Sequence, residues 1–347
     1  EIAMTFDPLD PQAYAFGFDF TPAPPPCDPG AERRQLGRLA LAVAAIPVIS
    51  TLAQLVISLV LVLAFPNGVK LPDWFSLVAG SGCMYLIAMP VSYLIFRTCR
   101  ADAIRPQKLG VLGLLAALAV SVAMTLAGNL IGILVNLILT LFTGISADNP
   151  VADTAEANPM WAIVLFMVIL APILEELFFR KLVIDRLHRY GDIPAILVSG
   201  VLFGLIHGNF SQFFYAALLG MVFGMIYCRT GRLRYTIFLH MFINFFGSVY
   251  VLLMQERLGP LEDLLVITPE YIAEHLSGFL MMFGLYGMYG IAFIACIPSA
   301  IWLIRSYRPQ KGTVLLRAAD RRQAILCNPA VWLLAAVLLL NFALFLS

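Results

Sequence analysis

Nine apolar runs, each close to or above the roughly 20 residues that a helix needs to cross a bilayer, occupy this chain almost end to end. Their limits are about 39–65, 74–97, 110–142, 160–182, 193–209, 212–228, 235–254, 276–304 and 330–346. Inside lipid a backbone has no water to bond, so successive runs of this kind can fold only as helices that satisfy their own N–H and C=O groups. The expected fold is therefore all-α, a polytopic transmembrane helical bundle of about nine spans. A composition 61% hydrophobic and only 12% charged agrees with a chain that is mostly lipid-embedded.

Lys and Arg set the orientation. Twenty of the 22 fall on alternate junctions, in groups around Arg33 to Arg38, Arg97 to Lys108, Arg180 to Arg189, Arg229 to Arg234 and Arg305 to Arg322, leaving Lys70 and Arg257 on the other side. The positive-inside rule then makes the N-terminus cytoplasmic, in a multi-pass protein of the cell membrane. Four regions follow: a Pro-rich tail over 1–38, expected to be disordered and cytoplasmic; N-terminal transmembrane helices over 39–159; a core of four helices over 160–254; and an external loop with C-terminal helices over 255–347. The tail has no basic stretch leading into an apolar one, so it does not read as a signal peptide. In the external loop the apolar stretch Leu264 to Ile267 is expected to lie on the membrane surface.

Against this background two adjacent carboxylates, Glu175 and Glu176, stand inside an apolar run, with Arg180 four residues after the second. A charge at the centre of a span costs roughly 2.5 to 3.5 kcal/mol, so charges there mark a site by default. Residues at i and i+4 share a helix face. Glu176 therefore lies over Arg180 as a neutralised structural partner, and Glu175, about 100° away, is the free reagent.

Two of the four histidines also stand in apolar runs, His207 in the fifth and His240 in the seventh. Phe203 is expected to cover the face of His207, and Asn244 to project with His240. A turn near Tyr190-Gly191-Asp192 would bring the fifth helix back antiparallel to the fourth and set Glu175 level with His207, each roughly 24 Å from the turn. Part of that length lies in the cytoplasm, which puts the pair nearer the inner half of the membrane, with an opening toward the cytoplasmic side. Gly200, Gly204 and Gly208 would let the fifth helix approach a neighbour closely. Pro172, one turn before Glu175, removes a backbone bond and allows a local opening there. His188 and His275 are expected to be solvated or interfacial and outside the site.

Glu175-Glu176-x-x-x-Arg180, Phe203-x-x-x-His207 and His240-x-x-x-Asn244, in this order, resemble the three motifs of the CAAX-protease and bacteriocin-processing (CPBP, or Abi) family of intramembrane proteases, which is similar to the type II CAAX prenyl endopeptidases. The resemblance covers about residues 160 to 250; Lys181 stands where many members have glycine. It implies an intramembrane endopeptidase acting on a membrane-associated or lipid-modified peptide. Glu175 and His207 would activate a water, His240 and Asn244 would stabilise the oxyanion, and Glu176, Arg180 and Phe203 would support them. No cofactor is certain. A second version makes Glu175, His207 and His240 ligands of Zn²⁺ with the water in the fourth position.

Other chemistries fit less well. There is no HExxH or GxGD, and Gly80-Ser81-Gly82 lacks a histidine on a suitable partner span. The six scattered cysteines imply no disulfide framework, and no basic groove with interleaved aromatics points to nucleic acid. The expected partners are a membrane-associated peptide or protein substrate and the lipid bilayer. The competing reading is a non-proteolytic transporter, immunity protein or scaffold with a buried Glu/His site.

Overall fold

The computed structural model describes residues 28–144, 150–259, 268–314 and 316–346. Most of the N-terminal tail and the stretch Leu264 to Ile267 lie outside these residues. Twelve helices follow in order among them: α1 Pro29–Ala64, α2 Phe75–Phe96, α3 Val111–Thr143, α4 Pro150–Ala157, α5 Met160–Tyr190, α6 Asp192–Leu205, α7 Phe210–Thr230, α8 Leu233–Leu258, α9 Pro269–Glu274, α10 Leu276–Arg305, α11 Ala318–Leu326 and α12 Pro329–Leu346. The fold is an all-α bundle, and no strand occurs among the described residues; one isolated bridge joins Gly191 to Lys311.

Seven helices are long and apolar enough to cross a membrane, and α11 with α12, bent by 54°, make an eighth if counted as one span. The remaining expected span, 193–209, is the 14-residue helix α6. At 1.5 Å per residue it covers about 21 Å, short of the roughly 30 Å hydrocarbon core. The expected tail also ends earlier than residue 38. Asp28 caps α1, its carboxylate accepting from the Gly30 N–H at 2.9 Å, and Pro29 opens the helix where its missing N–H has no cost, so residues 29–38 are helical.

Burial divides as it does in a lipid-facing bundle. Leu55, Leu63, Leu86, Phe142, Ile294 and Leu339 point outward, more than half exposed. The core gathers small and aromatic side chains from α1, α5, α6 and α7, including Ala42, Val43, Phe178, Phe179 and Phe203. In lipid, association rests on close packing rather than on escape from water, and small residues permit it. Gly200 and Gly204 on α6 meet α7 in this way: a Cβ on Gly204 would lie 2.6 Å from the Phe213 carbonyl oxygen, and one on Gly200 would lie 2.8 Å from the Met221 nitrogen. The third glycine of the stripe, Gly208, falls past the helix end and adopts φ +70°, in the turn leading to α7.

The turn at Gly191, with φ +106°, returns the chain from α5 to α6 as the sequence suggested. A polar clamp holds it. Asp192 is fully buried, pairs with His188 at 2.9 Å, and accepts from the Gln310 N–H at 2.7 Å and from the Tyr307 hydroxyl. Arg189 and Tyr190 both donate to Glu32 of α1, at 2.9 and 2.6 Å. His188 is thus 13% exposed and paired, rather than solvated, and it remains outside the site.

Candidate active site

Glu175 and Glu176 lie on α5 in an ordinary α-helical stretch, Ala171–Glu176, flanked by π-helical turns over Ile163–Leu170 and Leu177–Ile184. Such wide turns are uncommon and recur at functional sites, where they re-aim side chains. Pro172 sits at the start of the stretch between them. The two carboxylates diverge. Glu176 and Arg180 form a salt bridge at 2.8 Å with both side chains fully buried, and a second bond of 3.2 Å makes it bidentate. The Arg180 guanidinium also donates to Ser199 of α6 at 3.0 Å, and it lies over the rings of Phe203 and Phe223, 5.2 and 5.9 Å from their centroids. Glu175 instead lines a cavity of about 400 Å³.

That same cavity is lined by His207 at the end of α6 and by His240 and Asn244 of α8, so residues from three helices converge on it. The ring of His207 is fixed by its Nδ1, which lies 2.7 Å from the Phe203 carbonyl oxygen. A carbonyl only accepts, so Nδ1 carries the hydrogen and Nε2 keeps its lone pair. His240 bridges the two carboxylates, with Nδ1 3.2 Å from Glu176 and Nε2 3.8 Å from Glu175. Glu176 is therefore more than the partner of Arg180: it also orients an imidazole of the cavity. Asn244 spends one amide hydrogen on the Met167 carbonyl, at 2.8 Å, and retains the other. Phe203 packs against His207, as its i, i+4 spacing suggested. Its ring makes T-shaped contacts with His207 at 86° and with His240 at 87°, centroids 5.2 and 5.6 Å away, and so touches both imidazoles.

One residue in direct contact with Glu175 has no place in the sequence motifs. The hydroxyl of Tyr85, on a π-helical turn of α2, donates to Glu175 at 3.0 Å. Its only signal is a polar tip in an apolar run, which any interfacial tyrosine would also give. Ser199 was equally silent, and Ser81, set aside for want of a histidine, lines the cavity that holds both imidazoles.

Two further expectations meet the geometry differently. Although Glu175, His207 and His240 share one cavity, no group of three His, Cys, Asp or Glu side chains is placed to hold a metal ion among the described residues. The cavity also does not run toward the basic end of the bundle, where the opening was expected. It runs from Glu175 past Phe166 and Asn244 to Thr154 and Ser248, away from the Gly191 turn.

Comparison with known proteins follows the same stretch of chain. A family model described as type II CAAX prenyl endopeptidase Rce1-like matches residues 157–246, which contain all three motifs. The chain is 28% identical over 174 residues to the "Putative membrane peptidase YdiL" of Bacillus subtilis (strain 168), covering 49% of this chain and 69% of that protein. It is 32% identical over 102 residues to the "Membrane-embedded CAAX protease MroQ" of Staphylococcus aureus (strain USA300), covering 27% of this chain and 41% of that protein. No solved structure matches. The polar cavity of this integral membrane protein thus falls in the segment that is similar to CAAX-type membrane peptidases.

Proposed function

We propose that the peptidase activity resides in the cavity between α5, α6 and α8, and that it hydrolyses a peptide bond of a membrane-associated peptide without a metal ion. Supporting this is the convergence on one cavity of Glu175, His207, His240 and Asn244, the polar groups that water attack on a carbonyl requires.

The tautomers assign the roles. A water held between Glu175 and His207 Nε2 loses its proton to this pair as its oxygen attacks the carbonyl carbon. The tetrahedral oxyanion then takes hydrogen bonds from His240 Nε2–H and from the free amide hydrogen of Asn244. Collapse returns the proton to the leaving amine. His240 can donate at Nε2 while its Nδ1–H faces Glu176 only as an imidazolium. That charge also completes the balance of the cluster: Glu175 and Glu176 carry two negative charges, Arg180 and His240 two positive. Neutrality is what a low-dielectric site demands, since an unpaired buried charge costs several kcal/mol. Glu176 and Arg180 hold the imidazolium and the potential in place. Tyr85 holds one oxygen of Glu175.

The test is cleavage of a library of membrane-anchored and lipid-modified peptides by the purified full chain. Glu175→Gln and His207→Ala should each lose about 10²- to 10⁴-fold in rate, the usual weight of a general base. Activity undiminished in both variants would remove these residues from the chemistry. A chelator that abolishes cleavage, with restoration by Zn²⁺, would replace the metal-free route.

A further inference from the structure

The cavity has a direction. On α5 its lining residues run from Phe166 to Glu175, on α8 from His240 to Ser248, and on α7 from Gln212 to Leu219. In each helix these lie between the reacting groups and the same end of the bundle, the end where α5 and α7 begin and α8 finishes. The loops at that end carry Lys70 and Arg257, against 20 basic residues at the other. The way to the basic end is shut. Past Glu176, the side chains of Phe178, Phe179, Arg180, Val183 and Ile184 are 1% exposed or less, and the Gly191 turn beyond them is clamped by Asp192 and Glu32.

Combining the direction of the cavity with the distribution of Lys and Arg, we infer that the site is entered from the non-cytoplasmic face of the membrane. The inference rests on the peptidase reading for its substrate, which becomes a peptide segment presented from outside or from the outer leaflet. Glu175 is 15 residues along α5 from Met160, roughly 22 Å at 1.5 Å per residue. A chain spanning that depth at about 3.3 Å per residue must descend as about seven extended residues. The apolar lining, with Phe166, Phe242 and Phe246, suits an uncharged segment.

Sidedness can be read without any substrate. The full chain, with Cys27→Ser to remove one background thiol, is prepared in right-side-out and in inverted vesicles and exposed to a charged, membrane-impermeant maleimide. Ala171→Cys places a thiol on the cavity wall one turn from Glu175, and Thr154→Cys places one at its far end. The native exposed Cys327, beside the basic segment, marks the opposite side. Both introduced cysteines should label in right-side-out vesicles alone, and Cys327 in inverted vesicles alone. Labelling of Ala171→Cys from the inverted side, or from neither side while Thr154→Cys reacts from outside, overturns the inference. If Ala171→Cys fails to fold, Thr154→Cys together with Asn129→Cys, also on the cavity wall, distinguishes the two faces equally well. Because labelling needs no cleavage, loss of the peptidase assignment would leave this result standing, and the reverse holds as well.

Discussion

Tyr85→Phe isolates one hydrogen bond and nothing else in the cavity. The substitution keeps the ring that packs against the core and deletes only the hydroxyl that donates to Glu175 at 3.0 Å. A hydrogen bond to a charged acceptor is worth about 1.5 to 3 kcal/mol, more than one between neutral groups. In the proposed mechanism the bond fixes the carboxylate that helps to take the water's proton. Its loss should therefore fall on kcat and leave KM unchanged. At 1.36 kcal/mol per factor of ten, kcat should drop about 10- to 150-fold. The assay is initial-rate cleavage of a peptide identified from the library, over a substrate range wide enough to separate the two constants. The thermal midpoint in detergent should fall by only the few degrees that one lost hydrogen bond costs, because the retained ring still fills its site. A kcat within about twofold of the parent would show that Glu175 is aimed by something other than Tyr85. A rise in KM with kcat intact would instead put the tyrosine on the substrate.

Other outcomes follow from the same contacts. Glu175→Gln should leave the thermal midpoint in detergent close to that of the parent while slowing cleavage about 10²- to 10⁴-fold, whereas Glu176→Gln strands a fully buried Arg180 and should cost about 3 to 5 kcal/mol, seen as a large fall in the midpoint or as aggregation on purification. Gly204→Ala pushes a methyl to 2.6 Å from the Phe213 carbonyl, so α6 must part from α7 at a cost of about 1 to 3 kcal/mol, measured by the same melt. At the Gly191 turn, burial acts to raise the Asp192 carboxyl, but hydrogen bonds from His188, Tyr307 and the Gln310 N–H outweigh it and hold the group below its ordinary value. A depressed carboxylate stabilises the fold above its unfolded value of about 4 and loses that contribution as pH falls through the folded one. Acid unfolding of Asp192→Asn should therefore show a flatter pH dependence than the parent below about pH 4.

How far the sequence could be read depended on the range of the interaction concerned. Span positions follow from apolar length alone, and the Glu176–Arg180 pair from helical periodicity, because both are local. The turn at Gly191 was legible for the same reason: a midpoint between two polar residues coincided with a glycine. Bonds between distant helices were not legible. Nothing local tells that Tyr85 reaches residue 175, that Ser199 caps the guanidinium, or that Asp192 takes a proton donor from residue 307. The length of α6 was misjudged because its apolar run continues through Ile206, His207 and Gly208 while the helix stops at Leu205, where the chain turns toward α7.

The place where that helix stops bears on the chemistry. His207 lies two residues past the last turn of α6, yet its Nδ1 still reaches the Phe203 carbonyl four residues back. Near a helix C-terminus such carbonyls lack an intrahelical partner, and here the imidazole supplies one. The bond satisfies the helix end and fixes the tautomer together, so the ring leaves its basic nitrogen free without a carboxylate behind it. His240, by contrast, has Glu176 behind its Nδ1. The two imidazoles of one cavity thus differ in their backing groups: a neutral carbonyl stands behind His207 and a buried carboxylate behind His240. Removing the charged backing, by Glu176→Gln, should therefore damage oxyanion stabilisation even in protein that folds, which is why the residual activity of that variant, measured on its soluble fraction, should remain low.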